Sequence, residues 1–299
     1  MGASYINNNE IAILMAVYNG GKYIAEQINS IINQSVSNWT LYIRDDGSSD
    51  DTLKIIASFN DSRIIVIEDS EGNLGTKKCF LHLLSAVDSE YYMFSDQDDV
   101  WLENKIELSY NTMKETEGKS EPELPILIHT DVCVVDSSLS IIEESHWKTK
   151  RLNADKYVTF NYLCVLSFAI GMTMLFNRVS KKCIFPVHPE AGMHDSWTAA
   201  MVARYGKIVP ISQTTTLYRQ HATNLLGAQT REEQSFRYKM KNIIAVYRIN
   251  YNKAMRLKRM GFISPFTYIY YKTLIFFMRL MYIKPNDSSA IESLSQMIR

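Results

Sequence analysis

Asp96-Gln97-Asp98 is the densest piece of candidate chemistry in this 299-residue chain. In extended backbone, residues two apart point to the same side, which would set two carboxylates next to each other. Two such groups repel, and both gain when a divalent cation sits between them. All-oxygen ligands select Mg2+ or Mn2+, which complete their shells with water and phosphate oxygens. A second acidic pair, Asp45 and Asp46, opens the run Asp-Asp-Gly-Ser-Ser-Asp. A turn and a helix cap account for Gly47, Ser48 and Asp51, with Ser48 and Asp51 in capping-box spacing. They leave the doubled acid unexplained; a carboxylate here can accept the imide N–H of a uracil or thymine base. His194-Asp195 precedes an apolar run at helical spacing. Asp195 is either an N-terminal cap or a general base that takes a proton from a hydroxyl. His221 is a structural imidazole, a metal ligand or a diphosphate contact.

These residues need a frame that gathers them. Ile11–Val17, Leu41–Arg44, Ile64–Ile67 and Tyr91–Phe94 read as strands. Helical spacing separates them, at Ile24/Ile28/Ile31/Ile32, Leu53/Ile56/Ala57 and Phe80/Leu83/Leu84/Val87. Strand–helix–strand repetition with short links predicts an α/β fold, a Rossmann-like, mostly parallel sheet flanked by helices. In such a sheet ligands bind at the carboxyl ends of the strands. The residues at those ends are Tyr18-Asn19, Asp45-Asp46, Glu68-Asp69 and Asp96 to Asp99, so acidic and amide groups collect at one edge. After a loop at 118–125, residues 127–230 read as a mixed extension of the sheet. It has strands at Leu127–Asp136, Met172–Asn177, Ile208–Ile211 and Thr215–Arg219, and a helix over Asp195–Tyr205.

Composition fits a globular protein: 46% hydrophobic, 21% charged and net charge zero. The balance is uneven. Segment 231–284 holds twelve Lys/Arg against Glu232 and Glu233, a net +10, so the remainder is acidic. The expected domains are a catalytic body at 1–230, with halves near 1–117 and 126–230, and a basic, aromatic helical tail at 231–299. Lys272 and Arg279 inside the tail argue against a membrane-spanning helix. An interfacial helix on an anionic membrane, or helices packed on the body or on a second copy, are the two readings left. The four cysteines lack metal-site spacing and read as buried thiols in a reducing, cytoplasmic setting. No G-x-G-x-x-G opens the first helix, which excludes a dinucleotide oxidoreductase. Tyr18-Asn19-Gly20-Gly21-Lys22 is a poor triphosphate loop for a pyrophosphorylase, and a silent binding protein has no use for Asp96, Asp98 and Asp195 together.

Read in order, seven motifs resemble those of the family 2 inverting glycosyltransferases, which have the GT-A fold. They are Ala-Val-Tyr-Asn-Gly (16–20), Asp-Asp-Gly-Ser-Ser-Asp (45–50), Gly-Asn-Leu-Gly (72–75), Ser-Asp-Gln-Asp-Asp-Val-Trp (95–101), Gly-Met-Thr-Met-Leu-Phe-Asn (171–177), His-Asp (194–195) and Tyr-Arg-Gln-His (218–221). Within that family the chain most resembles bacterial rhamnosyltransferases of surface-polysaccharide synthesis that use dTDP-L-rhamnose. The resemblance implies that Ala16, Val17 and Tyr18 lie under the nucleotide, that Asp46 with Asp45 meets the base, and that Asn73 and Gly75 form a donor-proximal loop. It implies Asp96 and Gln97 on the donor, Asp98 as metal ligand with Asp96 and His221, and Asp195 as catalytic base. His221 and Asn224 would belong to a loop closing over the diphosphate. Gly171, Met172, His194 and, by proximity, Trp197 would lie on the acceptor side. The implied partners are Mg2+ or Mn2+, a nucleotide-diphosphate sugar, and a saccharide or polyprenyl-diphosphate-linked acceptor; no nucleic acid is expected.

Overall fold

The computed structural model describes residues 5–6, 10–221 and 243–280. Four strands form its first half: β1 (Ile11–Val17), β2 (Trp39–Asp45), β3 (Ile64–Val66) and β4 (Tyr91–Ser95). They pair in parallel in the order β3-β2-β1-β4. Helices α1 (Ile24–Ile32), α2 (Thr52–Ala57) and α3 (Thr76–Ala86) make the crossovers. Register places Val17 beside Asp45 and Met15 beside Ser95, so the strand ends reach one edge at one level.

Four of the five remaining strands continue this sheet: β5 (Val100–Trp101), β6 (Ile126–Val135), β8 (Met174–Asn177) and β9 (Lys207–Arg219). β8 runs antiparallel between β4 and β6, β9 lies parallel to β6, and β5 is antiparallel on the outer edge of β9. The ninth, β7 (Ile141–Glu143), pairs with β6 off this path, and a separate two-stranded ladder joins Tyr5–Ile6 to Val87–Asp88. Helix α4 (Lys105–Glu117) precedes the 118–125 loop, and α5 (His194–Tyr205) follows β8.

Period-two alternation divides β1 between two cores. Ile11, Ile13 and Met15 pack with Ile24, Ile28 and Ile31 of α1 and with Ile106 and Met113 of α4. Ala12 and Leu14 face the other layer, where Phe80, Leu83 and Leu84 of α3 meet Trp197, Ala199 and Val202 of α5. Burial of both faces explains why these strands read as continuous apolar runs.

Three expectations are corrected. Ile208–Ile211 and Thr215–Arg219 belong to one strand, β9, whose polar Ser212-Gln213-Thr214 stretch is absorbed by register shifts at Thr214 rather than by a break. Gly171–Thr173 is a 3-10 turn, so β8 begins at Met174. The capping box does not form. Helix α2 starts at Thr52 after Asp51, with no side-chain cap, and Ser48 turns back to Asp45.

The tail is represented by α6 (Ile243–Arg259) and α7 (Pro265–Leu280). Ala254, Leu257, Ile263, Tyr268 and Ile275 are buried in the α3/α5 core, and Phe262 stacks on Trp197 at 5.6 Å. The outer surface of the pair leaves Ile244, Tyr247, Phe266, Ile269 and Phe276 exposed. Among the described residues no helix is long and apolar enough to cross a membrane.

Candidate active site

The edge where β1, β2 and β4 end opens into a cleft of about 270 Å³. Ala16, Val17 and Tyr18 form one wall, and Asp96, Gln97 and Asp98 form the floor. Gly171, His194 and Asp195 stand opposite. Residues nearly a hundred positions apart meet here because β8 inserts beside β4 and brings Gly171 and α5 to the same edge.

Asp96 reports that convergence electrostatically. Burial, then the charge of Asp98, then that of Asp195 hold its carboxyl well above the ordinary carboxylate range. The strand has ended at Ser95, so the two acids reach the cleft from a bend rather than from extended backbone. Asp98 Oδ2 lies 2.7 Å from His221 Nε2, and the imidazole is tilted against the Tyr23 ring, with centroids 4.7 Å apart. Asp98 and His221 with Asp96 beside them have the chemistry of a divalent-cation site with positions left for water and phosphate oxygens. Among the described residues they do not close into a three-ligand cage.

Asp195 sits in the first turn of α5, half-buried. One oxygen accepts from Ser196 N at 2.5 Å; the N-cap position is Met193, so Asp195 is not the cap. His194 lies against Phe80 at 4.0 Å and edge-on to Phe94 at 4.9 Å. Burial lowers its pKa to about 4, and neither ring nitrogen has a partner among the described residues. A neutral imidazole with free polar capacity therefore borders the cleft. Gly171 makes room for it: an added Cβ would stand 3.0 Å from His194 Nε2 and 3.4 Å from Asp195 Cβ.

On the donor side, Asp46 is 4% exposed and accepts from Arg44 Nη1, Leu74 N and Gly75 N, each at 2.7 Å. Arg44 also grips Asp69 at 2.6 and 2.9 Å, which holds that carboxyl down at about 2. A carboxylate offers about four lone-pair sites, so Asp46 keeps one for a ligand while anchoring the Leu74–Gly75 loop. Gly75 has φ +73°, a left-handed conformation that aims its N–H at Asp46 and that a side chain would strain.

Several expected site residues serve as support. Asp45 does not line the cleft; it accepts from Gly47 N and Ser48 N and shapes its own turn. Asn73 and Gly75 bond to Asp46 behind the wall. Gln97 lines the floor, and its amide also clamps both backbone groups of Tyr18, at 2.9 and 3.0 Å. Met172 is buried with Val132 and Val134. Trp197 points away from the cleft, donating to Ile184 O and stacking on Phe262, because it lies on the face of α5 that meets the tail. Asn224 lies outside the described residues.

Residues that sequence reasoning missed complete the site. Thr76, Cys79 and Phe80 present the start of α3 to the cleft, Met193 and Ile170 flank the acceptor side, and Tyr218 reaches in from β9. Arg219, 1% exposed, is the keystone beneath. Its Nε donates to Asp98 O at 2.8 Å, its Nη1 to Ser137 O at 3.0 Å, its Nη2 pairs with Glu26, and its backbone N–H donates to Asp99. Its place in Tyr-Arg-Gln-His is the signal that could have found it.

Comparison with known proteins finds similarity to glycosyltransferases. Residues 12–119 match the model of glycosyl transferase family 2. A dTDP-rhamnosyl transferase, RfbG of Shigella flexneri, is 44% identical over 98 residues, 31% of this chain and 34% of that protein. The UDP-Glc:alpha-D-GlcNAc-diphosphoundecaprenol beta-1,3-glucosyltransferase WfgD of Escherichia coli is 34% identical over 105 residues, 34% of this chain and 40% of that protein. The match thus spans less than half the length of either relative. The mannosyltransferase PcManGT of Pyrobaculum calidifontis, solved with GDP-Man and Mn2+, superposes with a TM-score of 0.56 at 13% identity, over 98% of this chain and 78% of that one. The fold is the GT-A type.

Proposed function

We propose that this chain transfers one sugar from a nucleotide-diphosphate donor to an acceptor hydroxyl with inversion. The observation that carries this reading is that Asp96, Asp98 and Asp195, which belong to two distant segments, line one cleft. Donor and acceptor ends are thereby separate but adjacent. Residues 1–117 supply the donor half and 126–230 the acceptor half.

In the reaction the acceptor oxygen attacks the anomeric carbon as its proton passes to the Asp195 oxygen that Ser196 leaves unbonded. The bond from that carbon to the diphosphate breaks, and its electron pair leaves with the nucleotide. A single displacement of this kind inverts the centre, with an oxocarbenium-like transition state as in glycoside hydrolysis. Asp98, His221 and Asp96 would hold Mg2+ or Mn2+, which when bound neutralises charge on the departing diphosphate. Tyr18, fixed by Gln97, borders the nucleotide, and the remaining lone pair of Asp46 faces the base. His194 offers a neutral hydrogen-bonding group to the acceptor.

The proposed donor is dTDP-L-rhamnose, supported by the 44% identity to the rhamnosyl transferase. A UDP-hexose is the second reading, favoured by the 34% identity to the glucosyltransferase. The proposed acceptor is a saccharide, free or linked to a polyprenyl diphosphate, in the cytoplasm of a bacterium. The basic tail with its exposed aromatic surface is suited to an anionic membrane face. Incubating the protein with dTDP-, UDP- and GDP-sugars and Mn2+ while scoring nucleotide release tests the activity and the donor together. Release from dTDP-rhamnose alone is the expected result; release from no donor overturns the assignment.

A further inference from the structure

Beside Ser196, the residue after Asp195, lies a second and smaller cavity of about 40 Å³. It is bounded by α5, by the short helix Phe160–Val165 and by α6 of the tail. Its polar lining is Ser167, Ser196, Lys253 and Arg256. At roughly 10–15 Å³ per water, the space suits a group the size of a phosphoryl.

The charged residues that line this cavity, Lys253 and Arg256, are both cations. Arg256 Nε is buried and has no hydrogen-bond partner among the described residues. Among the described residues, Lys253 Nζ donates only to the backbone carbonyl of Val165, at 2.9 Å. Lys77 reaches over from α3 to the carbonyl of Ala191, at 2.7 Å. Glu190 feels the charge of Arg256, but its carboxylate is bonded to Arg259 at 2.6 and 2.9 Å. Burial, with Lys272 and Arg256 nearby, brings the Lys253 amine down to about 8, and burial with Arg256 lowers Lys77 as well. Cations drawn together out of water and compensated only by carbonyls are unfavourable until an anion joins them.

Local backbone keeps the place open. A Cβ at Gly192 would stand 2.9 Å from Ser196 Oγ and 3.7 Å from Arg256 Nη2. Because Ser196 follows Asp195 directly, an anion here sits next to the acceptor side and apart from the Asp98–His221 end, where the leaving diphosphate belongs.

We infer that this pocket binds a phosphate group of the acceptor, so that the accepting saccharide is presented as a phosphate or diphosphate ester anchored by Arg256 and Lys253. The inference rests on the glycosyltransferase reading for the word acceptor, but not for the anion site. A tail helix thereby contributes to substrate binding, which gives its packing on the catalytic body a functional consequence.

The test is calorimetry on the full chain, with dTDP saturating the donor site and EDTA present, titrating inorganic pyrophosphate and then farnesyl diphosphate. Both should bind, the ester at least as tightly as pyrophosphate. Arg256→Met and Lys253→Met should each weaken both by about tenfold or more, and Arg256→Lys, which keeps the charge, should retain most of the affinity. Thermal midpoints measured on the same samples establish that the variants are folded. Absence of pyrophosphate binding, equal binding by folded Arg256→Met, or exclusion of the ester each overturns the inference. Nucleotide release by the wild type, scored separately, decides the glycosyltransferase reading, so the two can fail independently.

Discussion

Gly171 is where one methyl group should matter most. The Cβ of Gly171→Ala would press on His194 Nε2 and Asp195 Cβ at once, and His194 cannot retreat because Phe80 and Phe94 hold it. Displacing a catalytic group by a fraction of an ångström costs roughly tenfold to a hundredfold in rate. We expect Gly171→Ala to lower turnover by about that factor while the thermal midpoint moves little; steady-state kinetics beside a melting curve check this. Asp98→Ala should remove activity and metal dependence together, read from nucleotide release across a Mn2+ titration. At this scale the sequence was legible where a residue's type has few other uses. Asp96, Asp98 and Asp195 line the cleft, as their spacing at element ends implied. Trp197 and Met172 sit beside cleft-lining residues in sequence yet turn into the core, and proximity in sequence does not reveal which face is buried. The supporting role of Asp46 was hidden because its donors, the N–H groups of Leu74 and Gly75, lie 28 and 29 residues away.

Among elements, β9 carries more of the site than its polar sequence suggests. It passes through two register shifts and delivers Tyr218, Arg219 and His221 to the cleft end of the sheet. The missed continuity has a physical cause: Ser212, Gln213 and Thr214 look like a loop, but bulges let a strand accommodate extra polar residues. Arg219 then ties this strand to β4 through Asp98 and to α1 through Glu26. Replacing it by Met takes the donors away from the carbonyls of Asp98 and Ser137 and leaves Glu26, already half exposed, to solvent; a buried acceptor left unsatisfied costs roughly 1–3 kcal/mol. Arg219→Met should therefore lower stability by about that amount, measured as a shift in urea midpoint, and the surviving folded fraction should need more Mn2+ for activity. An unchanged midpoint would show that the Arg219 network is not structural. The parallel β1-β4 half was readable from its apolar runs and turn signals; the capping box was misplaced because Ser48 finds Asp45 before it finds the helix.

For the molecule as a whole, two packed faces and a docked tail set the stability. His129 lies at the centre of β6, 0% exposed and ringed by Trp147 and Phe168, with both nitrogens unpartnered among the described residues. Burial lowers its pKa to about 3. The fold therefore holds it neutral while the unfolded chain takes up a proton near pH 6.5. The stability it contributes is complete above that pH and is lost as pH falls toward about 3. Relative to His129→Phe, the wild type should lose up to about 1.4 kcal/mol per pH unit between pH 6.5 and 4. Thermal melts of both proteins across that range measure the gap, and a constant difference would contradict it. The tail's composition left membrane contact and packing equally open, since aromatic and basic residues serve both; Leu257, Ile263 and Tyr268 are in the core, while the outer aromatics face away from it. At this scale too stands the central claim, that segments from both ends of the sheet make one transfer site. Asp195→Asn measures it most directly, by donor affinity from calorimetry and turnover from nucleotide release on the same preparation. The account predicts donor binding within about twofold of wild type and turnover reduced by roughly a hundredfold or more. Turnover that survives the substitution, or donor affinity that collapses with it, would contradict the role assigned to this residue and the site built around it.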